Sequence, residues 1–302
     1  MTQAQLVHIV DEVPELADHP SGPVLIVAMQ GFLDAGNASA LALAHLVAED
    51  GGRVVASFEV DELYDYRARR PAMTFHEDHY TDYDTPRLSV RLMRDTGGSA
   101  YLLLAGPEPD VRWEGFAIAV RKVVEQFSVR LVVSMGSVPM AAPHTRPVQL
   151  TNHATAQRLL VRENVWKGEI RVPSSAQALL ELRLGEWGHD AMGFVAHIPH
   201  YVAQLDYPAA AAALLEGVGD VAGLTWELGP LKAAAEAKQV EIATQIADSD
   251  EVREVVRGLE QQYDAFHSGA DNLLADNEPV PSGEELGAQF EQFLAGLDSE
   301  DD

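Results

Sequence analysis

VLIVAMQGFLDAGNASALALAHLVA, Val24–Ala48, is the stretch whose reading decides the fold. Val24–Gln30 is apolar almost throughout and rich in branched side chains, the pattern of a strand buried on both faces. Gly31 ends that run, and from Ala38 to Ala48 apolar residues recur on one helical face. Strand, turn and helix in that order open an α/β sheet.

The alternation continues outward from there. Val54–Val60, Leu88–Met93, Tyr101–Ala105, Leu131–Met135 and Gly193–His197 read as strands, and Val111–Phe127 and Tyr207–Leu215 as helices. Val148–Thr151 is a further strand candidate, with His153 onward open to a helical reading. Pro173–Trp187 reads as a helix starting near Ser174 or Ser175. Strands separated by helices imply a mostly parallel sheet. This α/β core is expected to occupy residues 1–228. Beyond Gly229–Pro230 the composition shifts to acidic helix, giving a second region, 229–302. There, Leu231–Ala247 and Glu251–Phe266 are expected to form an antiparallel pair. Asn277–Gly283 reads as a linker, Glu284–Leu297 as a third helix capped by Ser282, and Asp298–Asp302 as a solvated tail.

The net charge of −26 over 302 residues, of which −14 falls in 231–302, disfavours binding to nucleic acid or anionic membranes. The absence of cysteine excludes disulfides, a thiol nucleophile and thiolate metal sites. No apolar run approaches the roughly 18 residues of a membrane span, and the first residues lack a secretory pattern. The chain reads as cytoplasmic.

Five polar motifs each follow a strand-like run: GFLDAG (Gly31–Gly36), DELYDYRARRP (Asp61–Pro71), EPDVRW (Glu108–Trp113), PHTRP (Pro143–Pro147) and HIPHY (His197–Tyr201). Segments leaving the carboxyl ends of parallel strands share one edge, where ligands bind. Asp34 or Asn37 reads first as an N-cap and second as part of an anion site. Asp61, Tyr66, Arg67 and Arg70 lie in a loop where arginine forks and tyrosines suit a carboxylate, a phosphate or a protein surface, or simply pair internally. Asp110 reads as a helix cap, whereas Glu108 and Arg112 are not explained by capping. Arg112 near a helix start calls for a compensating anion or carboxylate. His144 and Arg146, held between prolines, suit proton transfer or a structural role. His200 and Tyr201 follow the last core strand. His76, His79, His197 and His200 lack the HExxH pattern, so metal is the minor reading. No phosphate-cradling loop is present, and Ser134 and Ser137 flank Gly136 without the GxSxG elbow, so neither a nucleotide site nor a hydrolase triad is indicated.

As an ordered set over about residues 20–230, these motifs resemble the bacterial, actinobacterial-type branch of the proteasome assembly chaperone 2 family. PSGEELGAQFEQFL, Pro281–Leu294, is similar to actinobacterial members. The resemblance implies a three-layer α/β/α fold of the phosphorylase/hydrolase-like class with a helical appendage. It also implies self-association, as in a trimer, and a protein-binding, assembly-chaperone-like role without a cofactor. The residues expected to bind a partner or ligand are Asp34, Asp61, Tyr66, Arg67, Arg70, Glu108, Arg112, His144, Arg146, His200 and Tyr201. The alternative is a hydrolase- or phosphorylase-like enzyme acting on a small anionic metabolite. An ATP-grasp-like ligase is weaker still, because none of the lysines, Lys122, Lys167, Lys232 and Lys238, lies in a nucleotide motif.

Overall fold

The structure, a computed structural model, describes residues 5–17, 21–48, 51–164, 168–247 and 249–269. Among the described residues ten strands are formed: β1 (Val7–Ile9), β2 (Val24–Gln30), β3 (Arg53–Phe58), β4 (Thr74–His76), β5 (His79–Thr81), β6 (Ser89–Arg94), β7 (Ala100–Pro107), β8 (Leu131–Met140), β9 (Leu150–Ala154) and β10 (Ala191–Pro199). The helices are α1 (Pro14–Ala17), α2 (Ala38–Val47), α3 (Trp113–Gln126), α4 (Ala176–Glu186), α5 (Pro208–Ala222), α6 (Gly229–Ala247) and α7 (Asp250–Gly269).

Eight strands form one sheet in the order β1-β3-β6-β7-β2-β8-β10-β9, and β4 and β5 make a separate hairpin. The sheet is mixed. Its centre, β7-β2-β8-β10, is parallel, as the strand–helix alternation requires. Both flanks run antiparallel. At β6 and β7 the reason is the connection: residues 95–99 are too few for a crossover, which takes a dozen or more, so the chain can only turn back.

Alternation along β2 sets the layers. Val24, Ile26 and Ala28 face a core completed by α2 and α5, whereas Leu25, Val27 and Met29 face one completed by α1, α3 and α4. This is the expected three-layer α/β/α arrangement. Ser175 caps α4, its Oγ accepting the Ala178 N–H at 3.0 Å. His153 belongs to β9, in register with Gly193, and does not open a helix.

Residues 1–263 form one compact unit and 264–302 a second. Within the first, α6 contributes Leu231 and Ile242 to the core and packs on α5. Among the described residues, that packing on α5 takes the place of the expected lengthwise pairing of α6 with α7. The linker, third helix and tail expected after residue 276 lie outside the described residues. Among the described residues, no helix is long and apolar enough to cross a membrane.

Candidate functional site

The carboxyl ends of β2, β7, β8 and β10 deliver residues 31–36, 108–113, 141–147 and 200–207 to one edge of the sheet. The long connection after β3 brings residues 59–72 to the same edge. Ser137 on β8 bridges to Asp34, and Glu108 N–H donates to Gln30 O at 3.0 Å, tying the ends of neighbouring strands together. The side chains there fall into an arginine loop and a histidine–tyrosine group.

In the arginine loop, Asp110 is the organiser. Its Oδ2 accepts the Asp65 N–H at 2.7 Å, and its Oδ1 lies 2.7 Å from Arg69 Nη2. Arg69 also donates to the carbonyl of Glu108 at 2.5 Å and stands 4.6 Å from the centre of the Tyr64 ring. Asp110 therefore holds the 65–69 loop instead of capping α3, whose N-cap residue is Arg112. Arg112 sits in the left-handed region at φ 58° and pairs with Glu62, which supplies the carboxylate its position demands. Tyr66 donates to Asp61 at 2.6 Å, and this bond to the charged acceptor pushes the phenol up to about 12. Arg67 and Arg70 are exposed and form no ion pair among the described residues.

Glu108 is buried, and its Oε1 accepts the Ala176 N–H at the start of α4 at 2.7 Å. Asp34 plays the matching part for α2. It accepts Ser39 N–H at 2.8 Å and Ala40 N–H at 3.0 Å, and Ser137 Oγ donates to it at 2.9 Å. We expect Asp34→Ala to cost about 1–2 kcal/mol in a urea titration, the loss typical of a helix cap. A change within a few tenths would show that the cap contributes little.

In the second group Tyr201 bridges the PHTRP loop and the residues after β10. Its hydroxyl accepts the His144 backbone N–H at 2.8 Å and lies 2.8 Å from His144 Nδ1. Because the hydroxyl oxygen already accepts, its hydrogen is free to go to Nδ1, which leaves the proton of a neutral His144 on Nε2. Burial pushes His144, His197 and His200 down and Tyr201 up to about 12, keeping all four neutral. His144 and His200 meet Tyr201 edge-on, with ring centres 5.8 and 5.3 Å away. Helix α7 reaches this group: Thr145 Oγ1 donates to Glu260, Arg146 lies 3.5 Å from the same carboxylate, and Tyr263 Oη donates to Pro147 O at 3.4 Å.

The edge thus carries arginines whose charge is largely met from within. A free anion would have to displace Asp110, Glu62 or Glu260 to take Arg69, Arg112 or Arg146. The cleft beneath α4 is lined by Val27, Ser134, Gln177 and Glu181, not by Arg67, Arg112, His144 or His200. Among the described residues, no three His, Asp or Glu side chains group as metal ligands. The roles of Arg69 and Asp65 were not legible beforehand. Three arginines share the loop, and which one turns inward depends on Asp110, forty-one residues from Arg69.

The family model described as the PAC2 family matches residues 28–246. The chain belongs to the PAC2 family. The matched span runs from β2 into α6 and takes in all five edge motifs. Among solved structures, a Mycobacterium tuberculosis protein of unknown function is 46% identical, with 90% of this chain and 93% of that one covered and a TM-score of 0.82. A PAC2 family protein from Streptomyces avermitilis is 30% identical, with 78% and 99% covered and a TM-score of 0.68. A proteasome-assembly chaperone homologue from Mycobacterium tuberculosis is 29% identical, with 77% and 99% covered and a TM-score of 0.71. None of the curated proteins compared is similar in sequence. For this PAC2 member the matched segment is also the one that builds the edge, so fold and candidate site fall within the same family span.

Proposed function

We propose that this PAC2 protein is an assembly-chaperone-like scaffold that self-associates and engages a protein partner through the arginine-loop edge. The observation that carries the reading is the surface beside that loop. Arg67 and Arg70 stay exposed while their neighbour Arg69 is neutralised. The loop then runs directly into the β4–β5 hairpin, whose Phe75 and Tyr80 are 59% and 69% exposed and meet edge-on with ring centres 5.0 Å apart. Exposed aromatics beside unpaired arginines match the residue types enriched in protein interfaces. Similarity to a proteasome-assembly chaperone homologue supports a partner of the protein-assembly kind. The candidate residues Asp34, Asp61, Tyr66, Glu108, Arg112, His144, Arg146, His200 and Tyr201 shape and stiffen the edge, and Arg67 and Arg70 contact the partner.

Native copurification tests this. The wild-type chain should recover a defined partner in stoichiometric amount, and Arg67→Glu with Arg70→Glu should lose it while keeping the wild-type unfolding midpoint. Recovery of the chain alone, or equal recovery by the double variant, would refute the reading. Light scattering of the purified chain should show a particle of several copies, three on the trimer expectation.

A further inference from the structure

We propose that His76 and His79 form an open site for a divalent transition-metal ion, which clips together the two strands of the β4–β5 hairpin. The hairpin turns at Glu77 and Asp78, and its register sets His76 directly opposite His79. Opposed residues of an antiparallel pair point to the same face, so both imidazoles leave one side of the hairpin while Phe75 and Tyr80 leave the other. The two imidazole rings are 5.6 Å apart between centres. With metal–nitrogen bonds of about 2.0–2.1 Å and a tetrahedral angle, two imidazoles on one ion have centres roughly 5 Å apart. A small rotation of either ring closes that difference. Asp78 supplies a second observation. Its Oδ1 lies 2.9 Å from His79 Nδ1. A carboxylate only accepts, so the proton of a neutral His79 sits on Nδ1, and Nε2 keeps its lone pair for a metal. A carboxylate behind the ring in this way is what orients metal-bound histidines.

The donors and the local charge set the class of ion. Imidazole nitrogen suits zinc, nickel and copper, whereas magnesium and calcium take oxygen donors. Residues 76–84, HEDHYTDYD, carry four acidic side chains and neither lysine nor arginine, a field that draws in cations. Both histidines are exposed, His79 with 59% of its side chain, so an ion reaches them directly from solvent. Two protein ligands are fewer than the four of a closed structural site, and the remaining positions belong to water. The ion would join the strands through their side chains. That matters here because β4 and β5 form a sheet of two strands, and a lone two-stranded hairpin is only marginally stable. An ion that binds the paired strands and not the separated ones favours the paired form by mass action. The site does not rest on the protein-binding reading, although it stiffens the element that carries Phe75 and Tyr80.

The test is a calorimetric titration of the untagged full chain, stripped with a chelator and dialysed, with Zn²⁺. A binding event of one ion per chain should appear, and His76→Gln and His79→Gln should each abolish it while keeping the wild-type urea midpoint. Asp78→Asn should weaken it about tenfold or more, the usual cost of removing the carboxylate behind a ligating histidine. Hydrogen exchange should slow across residues 74–81 when Zn²⁺ is added to the wild type and stay unchanged in either histidine variant, a change that binding elsewhere on the chain would not give. Mg²⁺ at the same concentration should produce neither heat nor protection. No Zn²⁺ event in the wild type, an undiminished event in the double variant His76→Gln with His79→Gln, or equal binding of Mg²⁺ would overturn the assignment.

Discussion

Replacing Asp110 with alanine is expected to destabilise the chain by about 2–4 kcal/mol and to loosen the arginine loop. The carboxylate is largely buried, with 23% of its side chain exposed, and holds both a backbone N–H and a guanidinium. Removing it leaves the Asp65 N–H without its acceptor and Arg69 with only the Glu108 carbonyl. Each half-buried donor deprived of its acceptor costs more than an average hydrogen bond returns, because the desolvation has already occurred. The effect should be local as well as global. Trypsin should cut after Arg67 and Arg69 much faster in Asp110→Ala than in the wild type, whereas sites on α3 should keep their rate. Urea titration and timed digestion check the two parts. A loss below about 0.5 kcal/mol with an unchanged digestion pattern would mean that the loop is held by something else.

Acid should destabilise the chain below about pH 6.5, through His144, His197 and His200. Burial lowers the pKa of each in the folded state, and Glu260 only partly opposes this at His144. As pH falls, the unfolded chain therefore binds these protons first. The stability they contribute is fully present above the unfolded histidine pKa and is lost as pH drops toward the lowered folded values. Each histidine adds up to about 1.4 kcal/mol per pH unit within that window. The net charge of −26 acts in the opposite direction, since protonating carboxylates relieves repulsion, but ordinary carboxylates titrate mostly below pH 5. Urea midpoints between pH 7.5 and 5.5 isolate the histidine effect. The wild type should lose stability over that range, and His197→Gln should lose measurably less; identical slopes would count against burial as the cause.

The alternation of continuous apolar runs and helical patterns was enough to place β2, β7, β8 and β10 and the helices between them, because a doubly buried strand must be apolar at every position. The same logic put five polar motifs at the strands' carboxyl ends, and they do converge on one edge. Strand direction at the flanks was legible in principle from the five-residue turn after Arg94, yet an apolar run by itself carries no direction.

Pairing is where local pattern stopped being informative. Arg67, Arg69 and Arg70 are equivalent as letters, and only Asp110, brought in from the end of β7, selects Arg69 to turn inward. Arg112 advertised a need for a counter-charge through its place at a helix start, but nothing near it named Glu62. His153 and Glu181 meet at 2.8 Å across twenty-eight residues of chain, a pairing that no local pattern announces. Periodicity and capping chemistry are written in neighbouring residues, so the chain alone determined its layers and the edge on which its polar motifs gather. Which charges meet, and which polar groups share the cleft under α4, depends on strand order and register. Those arise from long-range packing of the sheet, which only the tertiary structure decides.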